Sequence, residues 1–436
     1  MNRRLLIISP YFPPSNAADA QRVRMSLPYF RKFGWDADVV TVDPVHSEMT
    51  KDEILMRLLP GGLMIDKVGA FSKKWTGVFG LGSLALRSMW FYYWRVNTLL
   101  KARKYDLIFF STTQFPLTIL GAVWKKRYGV PYVIDMQDPW HSNYYQDKPK
   151  TQRPPKYWFS YRLNKYLEPF AMRSADGLIS VSPAYIADLR ERYPELYSKP
   201  AETITFGAFQ PDLALAAELG SQFEPLLDPS SKNLVYVGRG GLDMQKAIRT
   251  FFTALRRGID REPEVFSRLK IYFIGTSYAP SGHGTPTILP LAEEYGIAGQ
   301  VVEITDRISY YHTLSTLQHA DALFVPGSDD PKYTASKIYP YLLAGKPILA
   351  LFNPESPAIP VLREYGARYV FDYNGTDELY DRIVEFLQTI IISGPTRVEY
   401  NQAALKKYSA ETMTQKQAEL FDVVIGRTET NNKGKK

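Results

Sequence analysis

The chain has 436 residues, of which 45% are hydrophobic and 14% aromatic, and it contains no cysteine. That length suits two domains with sizeable cores and excludes a disordered chain, while the missing thiols exclude disulfides, thiolate catalysis and thiolate-bound zinc. Net charge is +8 and uneven: residues 1–205 carry 29 Lys and Arg against 18 Asp and Glu, a balance that attracts nucleic acid, anionic lipid or phosphorylated substrates without choosing among them.

The first 30 residues show no basic segment leading into an apolar run and cleavage site, so a cytoplasmic compartment is expected. Short apolar runs then alternate with amphipathic stretches, the pattern of parallel strands with crossover helices. Strands are predicted at residues 5–9, 37–42, 107–110, 132–136 and 178–181, and in the second half at 234–237, 269–274, 301–304, 322–325, 348–351 and 368–371. Gly34, Gly129 and Gly345 each follow a helical run and suit a left-handed C-terminal cap, and Ser309 suits an N-cap. The stretch from Trp75 to Leu100 is broken by Arg87 and Arg95, so no membrane-spanning helix is predicted. Gly, Pro and Ser gather between Thr205 and Ser231. This places one α/β doubly wound domain over 1–205 and another over 206–395, followed by a helical segment 396–426 and a disordered polar tail 427–436. Ligands of such sheets bind beyond the carboxyl ends of the strands, here in the crevice expected between the two domains.

Four segments fall at strand ends. After the first strand, Ser9-Pro-Tyr-Phe-Pro-Pro-Ser15-Asn16-Ala17-Ala18 enters a helix with Arg22 and Arg24; either its backbone N–H groups meet an anion or sugar hydroxyl, or it is a proline-stiffened turn. After the fourth come Asp135, Asp138, Trp140 and His141. Asp138 suits a proton acceptor or hydroxyl ligand and Trp140 a sugar stack; the alternative is that the carboxylates cap a turn and Trp140 packs at an interface. The second half opens with Gly238-Arg239-Gly240-Gly241 and then Lys246, a flexible backbone and two cations suited to a diphosphate. Near its end, Asp330, Thr334, Ser336 and Lys337 lead into a short helix with free N–H groups. No recognised nucleic-acid module accompanies the basic residues, and five histidines without paired spacing predict no metal site.

Together these segments resemble family 4 glycosyltransferases over nearly the whole chain. Ser9–Pro14, Asp135–Trp140, Ala175–Ser182, Val237-Gly238-Arg239 and Ser336-Lys337-Ile338-Tyr339 leading to Ala344-Gly-Lys-Pro347 carry the likeness. It implies a GT-B architecture of two facing Rossmann-like domains, with the C-terminal helix returning to the N-terminal domain. It also implies a retaining, metal-independent transfer without cofactor, from a nucleotide sugar held by the second domain to a glycan or lipid-linked acceptor on the first, in cell-surface polysaccharide synthesis. Carried over, Arg239 and Lys246 neutralise the departing diphosphate and Asp138 joins them in catalysis. Gly238, Gly240, Gly241, Asp330, Thr334, Ser336, Lys337 and Tyr339 surround the donor, Asp306-Arg307-Ile308 meets the base, and Ser15, Asn16, Ala17 and His141 serve the acceptor or loop. The chain departs from the family at Pro340, which stands where a ribose-binding carboxylate is usual, at Ala17-Ala18 in place of glycines, and in an Arg239–Lys246 spacing two residues longer. The lost carboxylate keeps a non-catalytic sugar-nucleotide-binding subunit open as an alternative, with a sugar-nucleotide epimerase behind it.

Residues 73–104 mix Trp, Tyr and Phe with Lys and Arg. They suit either peripheral contact with the inner face of a membrane or a core helix with solvated cations.

Overall fold

A computed structural model describes residues 2–141, 146, 149–150, 153, 157–331, 337–393 and 398–433. The chain divides into two compact units, 1–207 with 410–436, and 208–409. Each apolar run becomes a strand because it is buried on both faces, the condition for the middle of a parallel sheet covered by helices.

The first unit holds β1 (Arg3–Ile8), β2 (Trp35–Val42), β3 (Ile65–Val68), β4 (Leu107–Ser111), β5 (Tyr132–Met136), β6 (Gly177–Ser180) and β7 (Ala201–Thr203). They form one parallel sheet in the order β3-β2-β1-β4-β5-β6-β7. The five predicted strands are its interior. The two unforeseen ones, β3 and β7, are short, polar edge strands whose sequences carry no apolar run. Its helices include α1 (Ala20–Phe30), α2 (Lys73–Thr76), α3 (Leu84–Ala102), α4 (Ile119–Tyr128), α5 (Tyr157–Ser174) and α6 (Pro183–Arg192). Gly34 and Gly129 take the left-handed conformation expected of them, with φ of 82° and 71°.

The helix Ala410–Lys433 belongs to this unit and packs on α1. Phe421 lies against Phe30, Trp35 and Phe109 with ring centroids 6.2, 5.5 and 5.1 Å apart. The tail expected to be disordered from Arg427 instead continues this helix to Lys433. Arg427 donates to the Ser198 carbonyl at 2.8 Å, and extending an anchored helix is far cheaper than nucleating one.

The second unit begins with α7 (Gln210–Glu218) and carries β8 (Lys232–Val237), β9 (Leu269–Ile274), β10 (Val301–Ile304), β11 (Ala322–Pro326), β12 (Ile348–Phe352) and β13 (Tyr369–Asp372). These too are all parallel, in the order β10-β9-β8-β11-β12-β13. Helix α8 (Gln245–Arg261) turns Ile248, Phe251, Phe252 and Leu255 inward at helical spacing, and Phe251 stacks on Phe324 of β11 at 4.6 Å. Ser309 caps the helix Tyr310–His319 by accepting from the His312 N–H at 3.2 Å, and Gly345 is left-handed at φ 68°. Among the described residues no helix is long and apolar enough to cross a membrane.

Candidate functional site

In both units the chemistry gathers beyond the carboxyl ends of the central strands. In the second unit β8 ends at Val237, fixed by Tyr341, whose hydroxyl accepts from the Val237 N–H at 2.7 Å and donates to its carbonyl at 3.2 Å. The chain then enters the glycine loop. A Cβ on Gly238 would meet the Tyr236 hydroxyl at 2.7 Å, one on Gly240 the Thr287 hydroxyl at 2.7 Å, and one on Gly241 the Arg239 guanidinium at 2.6 Å. The approach is least yielding at Gly240, where a Cβ would also lie 3.1 Å from the Thr276 side chain; at Gly238 and Gly241 it would meet the ends of side chains.

Arg239 forms a two-pronged ion pair with Asp243, 2.6 Å at each prong, and Asp243 also accepts from the Ser328 hydroxyl at 2.6 Å. Burial opposes ionisation of Asp243, yet the hydrogen bonds from Arg239 and Ser328 hold its carboxyl below the usual range. Lys337 lies across the same loop. It donates to the Tyr236 hydroxyl at 2.7 Å and sits 4.4 Å from that ring's centre. The Tyr236 hydroxyl in turn donates to the Arg239 carbonyl at 2.9 Å. Loss of water around the Lys337 ammonium, and then the Arg239 charge, pull its pKa down to about 7. Lys246 lies on the exposed outer side of the first turn of α8, so the lysine held against the Arg239 loop is Lys337, 98 positions from Arg239 in sequence.

Around this loop, Glu303 at the end of β10 accepts from the Thr276 hydroxyl and from the N–H groups of Thr287, Ile288 and Leu289, at 2.7 to 3.0 Å. It thereby closes the two ends of the loop after β9 onto one carboxylate, and Thr287 joins that loop to the one after β8 by donating its hydroxyl to the Gly240 carbonyl at 2.7 Å. Asp306 accepts from the Ser281 hydroxyl at 2.6 Å and the Gly282 N–H at 3.0 Å, which hold its carboxyl below the usual range. Arg307 rests on the Tyr278 ring at 5.2 Å, and Ile308 is half-buried. Asp330 is exposed and Tyr339 buried against Tyr408. Thr334 and Ser336 lie outside the described residues.

In the first unit the expected anion loop is occupied by its own chain. The N–H groups of Ser15, Asn16 and Ala17 bond to the carbonyls of Phe12, Thr50 and Ser15 at 3.0, 2.8 and 3.0 Å. Arg22 is buried, pairing with Asp135 at 2.6 Å and donating to the carbonyls of Ile204 and Thr205. Arg24 is also buried, with Gln21 at 2.7 Å. Asp135, which further accepts from Ser111 and Gln137 at 2.9 and 2.8 Å, holds strands together beneath the site. Trp140 packs in the core on Phe115, centroids 5.7 Å apart, with its indole N–H on Asn164 at 3.1 Å. It offers no face to a sugar.

Asp138 stands exposed at the strand end. Nearby protein displaces water from its carboxyl, and that together with the Asp19 charge pushes its pKa up to about 6. Asp19 is buried, accepting from Thr113 N–H and hydroxyl at 3.0 Å each, and burial raises its carboxyl despite them. The His141 ring packs on Tyr161 at 4.6 Å, and the His141 backbone N–H donates to Glu168 at 2.9 Å. Burial, then the charges of Arg192 and Lys165, lower its pKa. Glu168 is itself buried, bonded to Tyr193 at 2.9 Å and paired with Arg192.

Two parallel sheets with their loops of charged and small residues at the carboxyl ends define the GT-B class of fold, and solved structures agree. Sucrose-phosphate synthase from Thermosynechococcus elongatus matches with TM-score 0.60 at 15% identity, over 98% of this chain and 100% of that one. The protein HepE of Anabaena, in complex with UDP and glucose, matches at 0.58 and 14%, over 97% and 100%. WaaG, a glycosyltransferase of lipopolysaccharide biosynthesis, matches at 0.57 and 14%, over 95% and 99%. Within that fold, residues 20–199 match the model of the glycosyl transferase 4-like domain. No curated protein sequence matches the chain.

Proposed function

We propose that this protein is a retaining, metal-independent glycosyltransferase, moving a hexosyl or related sugar from a nucleotide sugar to a glycan or lipid-linked acceptor in cell-surface polysaccharide synthesis. The observation that carries the reading is the Arg239 and Lys337 pair held by Asp243 and Tyr236 on a glycine-lined strand end. Negative charge grows on the leaving phosphate oxygen as the glycosidic bond breaks. Cations already fixed there stabilise that charge without reorganising. Support also comes from the neighbours: HepE is bound to UDP and glucose, and a trehalose-phosphate synthase from Burkholderia xenovorans to glucose-6-phosphate. On this reading Asp138 faces the acceptor, and residues 73–104 rest on the inner face of the membrane that supplies it.

The test is a thermal-shift screen with UDP, GDP, ADP, CMP and dTDP and their sugar conjugates, followed by transfer assays with the donor that binds. One nucleotide is expected to raise the melting temperature, and Arg239→Ala to lose that shift and lower transfer at least ~100-fold, as removal of a transition-state donor does. An unaffected rate in Arg239→Ala refutes the phosphate role. Pro340, where a ribose-binding carboxylate is usual, favours the second reading of a non-catalytic binding subunit. Donor binding without turnover across a broad acceptor panel would establish it.

A further inference from the structure

Helices α3, α4 and α5 cover the same face of the first sheet, each feeding one core: Tyr92 and Val96 from α3, Trp124 from α4, Ala171 and Met172 from α5. Their outer side differs from an ordinary solvated layer. On α5, Trp158, Arg162, Tyr166 and Phe170 recur every fourth residue and so share one helix face, and the three rings are 66%, 76% and 54% exposed. The corner between α2 and α3 adds Trp75 and Phe79, 78% and 74% exposed. The two segments touch: Gly80, left-handed at φ 77°, lies so close to the Phe159 ring that a Cβ there would meet it at 3.1 Å.

The charge these helices themselves carry at the surface is positive, although Glu48 pairs with Lys73 of α2 and Asp66 with Arg95 of α3 from neighbouring segments. From Lys67 to Tyr105 the sequence has no Asp or Glu, α4 has none, and the single acid of α5 is Glu168, buried and paired with Arg192. Lys74, Arg162 and Lys165 are exposed among the rings. Large aromatics left in water cost free energy unless something covers them. Trp and Tyr interleaved with cations suit a bilayer interface, where rings sit at headgroup depth and cations meet anionic lipid. A protein partner with an acidic groove would need the rings to form one compact anchor, whereas here they are strung along about 18 Å of helix at 1.5 Å per residue.

We propose that the outer face of α5 and the α2–α3 corner together form a seat for an anionic phospholipid bilayer. This rests on the reading that the protein works at a membrane and assigns that contact a second element, α5, beyond residues 73–104. The surface lies flat on the lipid: rings enter the headgroup region and the cations remain at the phosphates.

The full-length protein is sedimented with vesicles of phosphatidylcholine alone or mixed with phosphatidylglycerol, at low and physiological salt. Wild type is expected to bind the mixed vesicles and be released by salt. The double variants Trp158→Ala/Phe170→Ala and Trp75→Ala/Phe79→Ala should each weaken partitioning at least ~10-fold with unchanged melting temperature, and Arg162→Glu/Lys165→Glu should weaken it most on the anionic vesicles. If both α5 variants bind as wild type while the corner variant does not, the α5 seat is overturned and membrane contact through 73–104 stands. If wild type binds no vesicle, both membrane assignments fall, and the donor screen still decides the transferase reading. If wild type self-associates and the α5 aromatic variant is monomeric, the face is a contact between copies and the proposal is overturned.

Discussion

Replacing Lys337 by Met tests the most strained charge in the second unit. Its pKa lies at about 7 against an ordinary 10.5, first because water is excluded and second because Arg239 is near. The unfolded chain therefore binds more protons than the folded one between pH 7 and 10.5, so wild-type stability rises with pH across that window and is lost as pH falls towards 7. At ~1.4 kcal/mol per pH unit, the cost of keeping this lysine is ~4 kcal/mol at pH 7 and ~2 kcal/mol at pH 9. Against this, the Tyr236 hydrogen bond and ring contact that Met loses contribute ~1–3 kcal/mol. Lys337→Met should thus be more stable than wild type by ~2 kcal/mol at pH 7, with the advantage gone near pH 9. Urea unfolding at pH 7, 8 and 9, with hydrogen exchange on β8 reporting the second unit, measures both curves. Parallel pH dependences in wild type and variant would refute the reasoning.

Binding of a nucleoside diphosphate near pH 7.5 should take up a fraction of a proton, since an anion beside Lys337 restores its charge; calorimetry in two buffers of different ionisation enthalpy reads it, and Lys337→Met should abolish it. Asp135→Ala strands the buried Arg22 charge and should destabilise the first unit by ~3–5 kcal/mol, whereas Asp135→Leu with Arg22→Met should recover much of that in denaturant unfolding. Gly240→Ala pushes a methyl to 2.7 Å from the Thr287 hydroxyl and 3.1 Å from Thr276, so nucleotide affinity should fall while the far-UV spectrum stays unchanged. With the Asp138 carboxyl at about 6, an acid limb near that value should appear in the pH–rate profile and vanish in Asp138→Asn.

The strands were legible because burial on both faces leaves an unbroken apolar run, as at Leu269–Ile274, and the glycine loop because it follows such a run directly. What pairs with what was not. Arg239 reads as a cation awaiting phosphate; that Asp243 grips it depends on a turn bringing two residues four apart face to face. The lysine across the loop, Lys337, follows β11 far along the sequence, while Lys246, to which the resemblance carries the phosphate role, stands exposed on the first turn of α8. Trp140 beside two carboxylates looks like a sugar platform, but its stacking partner Phe115 is supplied by a different strand's loop. Glu303 and Asp19 gave no signal, since each matters only through N–H groups and hydroxyls that the fold collects around it. The exposed rings of α5 likewise become a face only once the helix sets their spacing.

The packing of the helix Ala410–Lys433 on α1 has a consequence for synthesis. One unit is made from both ends of the polypeptide, and the other is inserted between Gly207 and Ala410. At ~5–20 residues per second a ribosome takes roughly 10–40 s to make that insert. Throughout, the surface of Phe30, Trp35 and Phe109 that Phe421 will cover stays bare, and it remains so until the chain has passed β13, the last strand of the second unit. The first half of the chain to emerge is thus the last to be completed, and in that interval its aromatic surface faces water.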